Sequence, residues 1–162
     1  MLDRPCDECG FDARNYPKEL IAQSIREDSA IWDEVLARDD ATRRPDNHTW
    51  SALEYGCHVR DVYRVFDHRL ELMLTSDDPV FANWDQDETA VAERYDLQDP
   101  ATVARELHDA AGRFTDRIDS VTSDQWTRPG TRSNGSRFTV ETLGLYGLHD
   151  PFHHVWDVTK DR

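Results

Sequence analysis

The feature that most constrains the fold is a helical period in the apolar residues, which recurs in four stretches of the chain. At about 100° per residue, Tyr55, Val59, Val62, Phe66, Leu70 and Met73 fall on one stripe, with Arg60, Arg64, Asp67 and Glu71 opposite. Ser51-Ala-Leu-Glu54 is a capping box and marks where this helix starts. Ile21, Ile25, Trp32 and Val35 predict an earlier helix from Tyr16 to Arg38, with Pro17 in its first turn. Val103, Leu107, Phe114, Ile118 and Val121 predict a third from Pro100 to Val121, and Leu145, Leu148, Phe152, Val155 and Trp156 a fourth from Thr139 to Thr159. No stretch alternates with period 2, so no strands are expected. Four amphipathic helices of about twenty residues imply an all-α four-helix bundle. The helices are separated by an acidic loop around Trp84 and by an Arg128–Arg137 segment that reads as loop. Residues 1–15 read as an irregular arm and 16–162 as the bundle domain.

Composition limits what such a bundle can bind. The 162 residues carry 33 acidic and 19 basic side chains, a net charge of −14. That argues against nucleic acid, whose phosphates need clustered Lys and Arg, and against anionic membrane surfaces. No run of about 18 apolar residues is present, and the first ten residues lack the apolar core of a signal peptide. The expectation is a cytoplasmic protein. Three cysteines make a poor disulfide framework; Cys6 and Cys9 form a C-x-x-C that reads as half of a metal site or as a redox pair.

The residues with chemistry to offer are histidines. His149 and His153 lie one turn apart on the fourth helix, so both rings can reach one ion. Pro151, between them, removes a backbone N–H and is expected to bend the helix; His154 is expected to point away. A third ligand must come from a facing helix, and periodicity selects His58, at the border of its stripe. A histidine hydrogen-bonded to a backbone carbonyl is the plainer alternative for His58. Cys57 and His68 are expected on the polar side. Three neutral imidazoles leave a coordination position open, which is the form of a catalytic site. Asp61, Asp150 and Asp157 are candidates to orient the imidazoles. Asp28, in an apolar stripe beside Ser24, is a candidate acid/base group in a polar pocket. Arg128, Arg132 and Arg137 are candidates for an anion-recognising lip.

Trp50-Ser-Ala-Leu-Glu-Tyr-Gly-Cys-His58-Val-Arg-Asp61 and Leu148-His149-Asp150-Pro-Phe-His153-His154-Val-Trp-Asp157 resemble the motifs of the DinB-like or YfiT-like metal-binding bundles. That family includes thiol-dependent transferases and the N-terminal domain of mycothiol-dependent maleylpyruvate isomerase. The resemblance implies an up-down-down-up bundle, a divalent metal (zinc, or nickel) on His58, His149 and His153, and a homodimer. It also implies a reaction between a low-molecular-weight thiol and an electrophilic small molecule: S-transfer, isomerisation or hydrolysis. The Cys6/Cys9 arm lies outside the family's general pattern. The competing reading is a non-catalytic metal sensor or carrier.

Overall fold

The computed structural model describes residues 3–160. Five helices carry the fold: α1 (Ile21–Leu36), α2 (Ala52–Thr75), α3 (Gln86–Ala92), α4 (Pro100–Asp119) and α5 (Val140–Thr159). The four long ones are those expected from periodicity. Their ends are set by local chemistry. Ser51 caps α2 through the expected box with Glu54; Asp99 caps α4 ahead of Pro100; Thr139 caps α5 with Thr142. Helix α1 starts later than expected. Tyr16, preceding Pro17, is held extended, and 3-10 turns at Ala13–Asn15 and Lys18–Leu20 fill the space before Ile21.

Side-chain pairs fix the topology. Arg26 at the start of α1 bonds Asp119 at the end of α4, and His108 near the start of α4 bonds Asp33 near the end of α1, so these helices are antiparallel. Arg60 bonds Glu106, and Arg117 bonds Asp67, so α2 and α4 run parallel. His58 of α2 meets Asp150 of α5, while Phe66 further along α2 lies against Gly147 nearer the start of α5; that pair is antiparallel. Gly144 lies against Ile21 and Arg38 donates to the Val158 carbonyl, making α1 and α5 parallel. The order is up-down-down-up.

The core between the helices holds Trp32, Tyr63, Phe114, Leu107, Leu143 and Leu148, all fully buried. Gly147 lets α5 lie close against α2 and α4: a Cβ there would sit 2.9 Å from the rings of Phe114 and Phe66. Cys57 is buried in this core rather than on the polar side, because the stripe of α2 is contacted by three helices and is wider than one apolar face.

Strands, not expected from the sequence, are present. β1 (Val80–Phe81), β2 (Pro129–Arg132) and β3 (Arg137–Thr139) form a small sheet in that order. β1 pairs parallel to β2, and β2 with β3 is an antiparallel hairpin pairing Gly130 with Phe138. The presumed loop from Arg128 to Arg137 is therefore mostly this hairpin, turned through Gly135 at φ 91°. Runs of two to four residues are too short to show a period. The acidic loop likewise contains α3, capped by Asp85. Among the described residues, no helix is long and apolar enough to cross a membrane.

Candidate metal centre

Helix α5 carries two interleaved i,i+4 pairs. His149 and His153 lie on one stripe; Asp150 and His154 lie on the next, about 100° around. The second stripe faces α2. His58, fully buried, brings Nε2 to 3.1 Å from Asp150 Oδ1, and His154 Nε2 lies 3.7 Å from the same oxygen. One ligating atom from each of His58, Asp150 and His154 falls within 4.8 Å of the others. The first stripe faces the N-terminal arm. Cys6 Sγ is 3.5 Å from His153 Nδ1 and Cys9 Sγ is 3.4 Å from His149 Nε2; these four also lie within 4.8 Å of one another.

The three histidines expected to share an ion are thus divided. His58 goes with Asp150 and His154, and His149 and His153 go with Cys6 and Cys9. His154, expected to point away, turns its ring edge-on to His58 with centroids 4.8 Å apart. Asp150, expected behind an imidazole, stands among the candidate ligands. Asp157 does take the orienting position: its Oδ2 accepts from His154 Nδ1 at 3.0 Å and lies 3.7 Å from His153 Nε2. Asp61 does not; it is held by Arg60, Arg64 and the Tyr95 hydroxyl.

Charge and packing prepare the His58 group for a cation. Burial pushes the Asp150 carboxyl up, but the His58 hydrogen bond and the neighbouring imidazoles outweigh this and hold it below its ordinary value. Asp157 is likewise held low, its burial outweighed by His154 and His153. Trp84 stacks on His58 at 5.4 Å and 9° between planes, and Trp50 packs on it at 5.6 Å. His58 does not bond a backbone carbonyl. Its Nε2 meets a carboxylate, and its buried Nδ1 has no partner. Two imidazoles and one carboxylate are a donor set that suits a divalent ion such as zinc, nickel or iron.

On the other stripe, burial holds the His149 imidazole below its ordinary pKa and so neutral. Backbone N–H groups of Cys9 and Glu8 lower the Cys6 thiol to about 7, whereas burial raises that of Cys9. Phe11 stacks on His149 at 4.9 Å and fastens the arm to α5.

A pocket of about 600 Å³ opens beside both groups, lined by Arg4 to Glu8 of the arm, Gln86, Tyr146 and the α5 residues His149, Asp150, His153 and His154. Asp28 is not in it. Asp28 lines a separate pocket of about 540 Å³ across the arm, with Tyr16, Ser24 and Phe152, where burial pushes its carboxyl up to about 7. Arg128, Arg132 and Arg137 do not line the 600 Å³ pocket. Arg128 bonds the carbonyls of Met73 and Ser76, Arg132 bonds Asn134 and Ser136, and Arg137 bonds Asp78, so all three brace the sheet.

Comparison with known proteins agrees with this architecture. No curated protein sequence matches the chain. The structure is similar to that of YfiT from Bacillus subtilis, described as a probable metal-dependent hydrolase with an unusual four-helix bundle topology, at a TM-score of 0.79 with 20% identity over 93% of each chain. It is also similar to the mycothiol-dependent maleylpyruvate isomerase, at 0.70 with 11% identity; there the match covers 90% of this chain but 62% of that one. At these identities the likeness establishes the fold. The sequence pattern of the DinB superfamily matches residues 25–158, most of the bundle including the α2 and α5 histidines. The chain belongs to the DinB superfamily.

Proposed function

We propose that the chain is a cytoplasmic metal-dependent enzyme in which His58, Asp150 and His154 hold a divalent ion, and that it joins a low-molecular-weight thiol to an electrophilic small molecule. The observation that carries this reading is the convergence of the three donors, two of which, Asp150 and His154, line the 600 Å³ pocket. Three protein ligands leave positions for a small molecule, which distinguishes a catalytic centre from a closed carrier site. A divalent ion bound there supplies Lewis acidity, lowering the pKa of a thiol or water that it binds.

The chain's own residues do the rest. His154 Nδ1–H donates to Asp157, which fixes the ring and leaves Nε2 directed toward Asp150. Trp84 and Trp50 cover His58 and keep water from that side. Arg4, 3.6 Å from Asp7 on the exposed arm, is the cation among the pocket-lining residues and would meet a substrate carboxylate by exchanging that partner. The two structural neighbours are described as a probable metal-dependent hydrolase and a mycothiol-dependent isomerase, which support metal and thiol chemistry respectively. The homodimer implied by the family resemblance belongs to the same proposal, and sedimentation tests it.

The test is elemental analysis of the purified chain and of His154→Ala and Asp150→Asn, paired with turnover of electrophiles by a panel of low-molecular-weight thiols. Loss of the metal and of turnover together supports the reading. Turnover that survives loss of the metal would refute it.

A further inference from the structure

The second group of donors is not used by the reading above and does not depend on it. Cys6 and Cys9 come from the arm; His149 and His153 come from α5, about 140 residues later. The ligand pattern is C-x2-C followed by H-x3-H, the spacing of closed Cys2His2 sites. We propose that Cys6, Cys9, His149 and His153 form such a closed site for one zinc ion, which fastens the N-terminal arm to α5 and so builds one wall of the 600 Å³ pocket.

The distances fit that ion. Zinc–sulfur bonds of about 2.3 Å and zinc–nitrogen bonds of about 2.05 Å, at tetrahedral angles, set S···N edges of about 3.6 Å. The two edges observed are 3.5 Å for Cys6–His153 and 3.4 Å for Cys9–His149. Two thiol–imidazole hydrogen bonds would account for those edges singly. They would not require all four donors to gather within 4.8 Å.

The arm is folded for the purpose. Cys6 N–H bonds the Phe11 carbonyl at 2.8 Å and Gly10 N–H bonds the Cys6 carbonyl at 3.1 Å, closing a turn that Gly10 permits at φ 76°. The turn presents both sulfurs to the α5 imidazoles, Cys6 to His153 and Cys9 to His149. The far side of one imidazole is also held: His153 Nε2 lies 3.3 Å from Glu8 and 3.7 Å from Asp157. Both sulfurs would bind as thiolates, which leaves the Zn(Cys)2(His)2 unit neutral. Four protein ligands leave no open position, so the role is structural. Residues Arg4 to Glu8 line the pocket, so the ion's removal would loosen that wall.

The wild-type chain, loaded with zinc and desalted, carries this test without any variant. An organomercurial blocks Cys6 and Cys9 while Cys57 stays fully buried, and a metallochromic dye reads released zinc. One zinc freed per two thiols blocked is expected; blocking both without release overturns the proposal. In the cobalt-substituted protein, a thiolate-to-cobalt charge-transfer band is expected, lost in Cys6→Ser/Cys9→Ser and kept in His154→Ala. Its absence from the wild type, or its survival in the double variant, overturns the proposal. Trypsin is expected to cut after Arg14 in the double variant and not in the zinc-loaded wild type; equal cutting refutes the clamp. Failure of the catalytic reading would appear elsewhere, as no metal or turnover dependent on His154, with the mercurial release unchanged.

Discussion

Asp28→Asn tests the electrostatics of the bundle interior. Asp28 lies on α1 with its Oδ2 buried and without a hydrogen-bond partner, and burial lifts its carboxyl from the ordinary 3.8 to about 7. The neighbouring groups offer no cation: Tyr63, whose buried hydroxyl also lacks a partner, is pushed well above its ordinary value, and Glu27, Tyr16 and Ser24 line the same pocket. The sign follows from proton binding. Below about pH 4 the carboxyl is protonated in both folded and unfolded chains and costs nothing. Between about 4 and 7 the unfolded chain ionises and the folded chain does not, so stability falls by about 1.4 kcal/mol per pH unit. Above about 7 the full penalty is present, on the order of 4 kcal/mol. Asparagine has the same shape and cannot ionise. Asp28→Asn should therefore match the parent near pH 4 and exceed its stability at pH 8 by up to that amount. Urea unfolding of both proteins at pH 4.5, 6 and 8 reads the difference, in which contributions of all other groups cancel. A difference independent of pH, or a variant less stable at pH 8, would show that Asp28 is ionised and paired, and would refute the reasoning.

Asp157→Asn removes the carboxylate behind His154 and His153, and should weaken metal binding by about 10–100-fold, read by competition with a chelator. Gly147→Ala should destabilise the fold by about 1 kcal/mol in denaturant unfolding, because overpacking against Phe114 and Phe66 costs about 1–3 kcal/mol and exceeds the roughly 1 kcal/mol gain in helix propensity. Ser51→Ala should cost about 1 kcal/mol in the same assay, since Ser51 caps α2 and its hydroxyl also bonds Glu54.

How much of this was legible in the sequence depended on length and on distance along the chain. The stripes of α2 and α4 each repeat over twenty or more residues, so their period emerges from composition noise. The strands do not repeat at all: Val80–Phe81 offers no alternation, and β2–β3 pairing comes from a hairpin whose Gly130 is fitted to Met73 and Phe81 rather than to a pattern. The candidate metal centre was half legible. His58, His149 and His153 do all sit in the two groups, because a histidine on the border of an apolar stripe is held where helices meet. Their pairing was not legible. Two i,i+4 pairs offset by one residue differ only by rotation about α5, and which one faces α2 is decided by how the helix is seated. Periodicity alone therefore places His154 outward and Asp150 behind an imidazole. The C-x-x-C of the arm reads as half of a metal site, and with H-x-x-x-H on α5 it has the spacing of a Cys2His2 site. Some 140 residues separate the halves, and only the fold joins them. The arginines of the hairpin show the reverse. In an acidic chain they stand out, yet each is occupied by carbonyls or side chains of the sheet and its flanks.

The central claim is that the ion of the open site is held by His58, Asp150 and His154. Its most direct test is a crystal structure of the zinc-loaded chain, with the metals placed by anomalous scattering at the zinc edge. The account predicts an ion within about 2.0–2.2 Å of a ligating atom of each of these three residues, with a position facing the pocket filled by solvent. An ion shared by His58, His149 and His153, or no ion between α2 and α5, would contradict it.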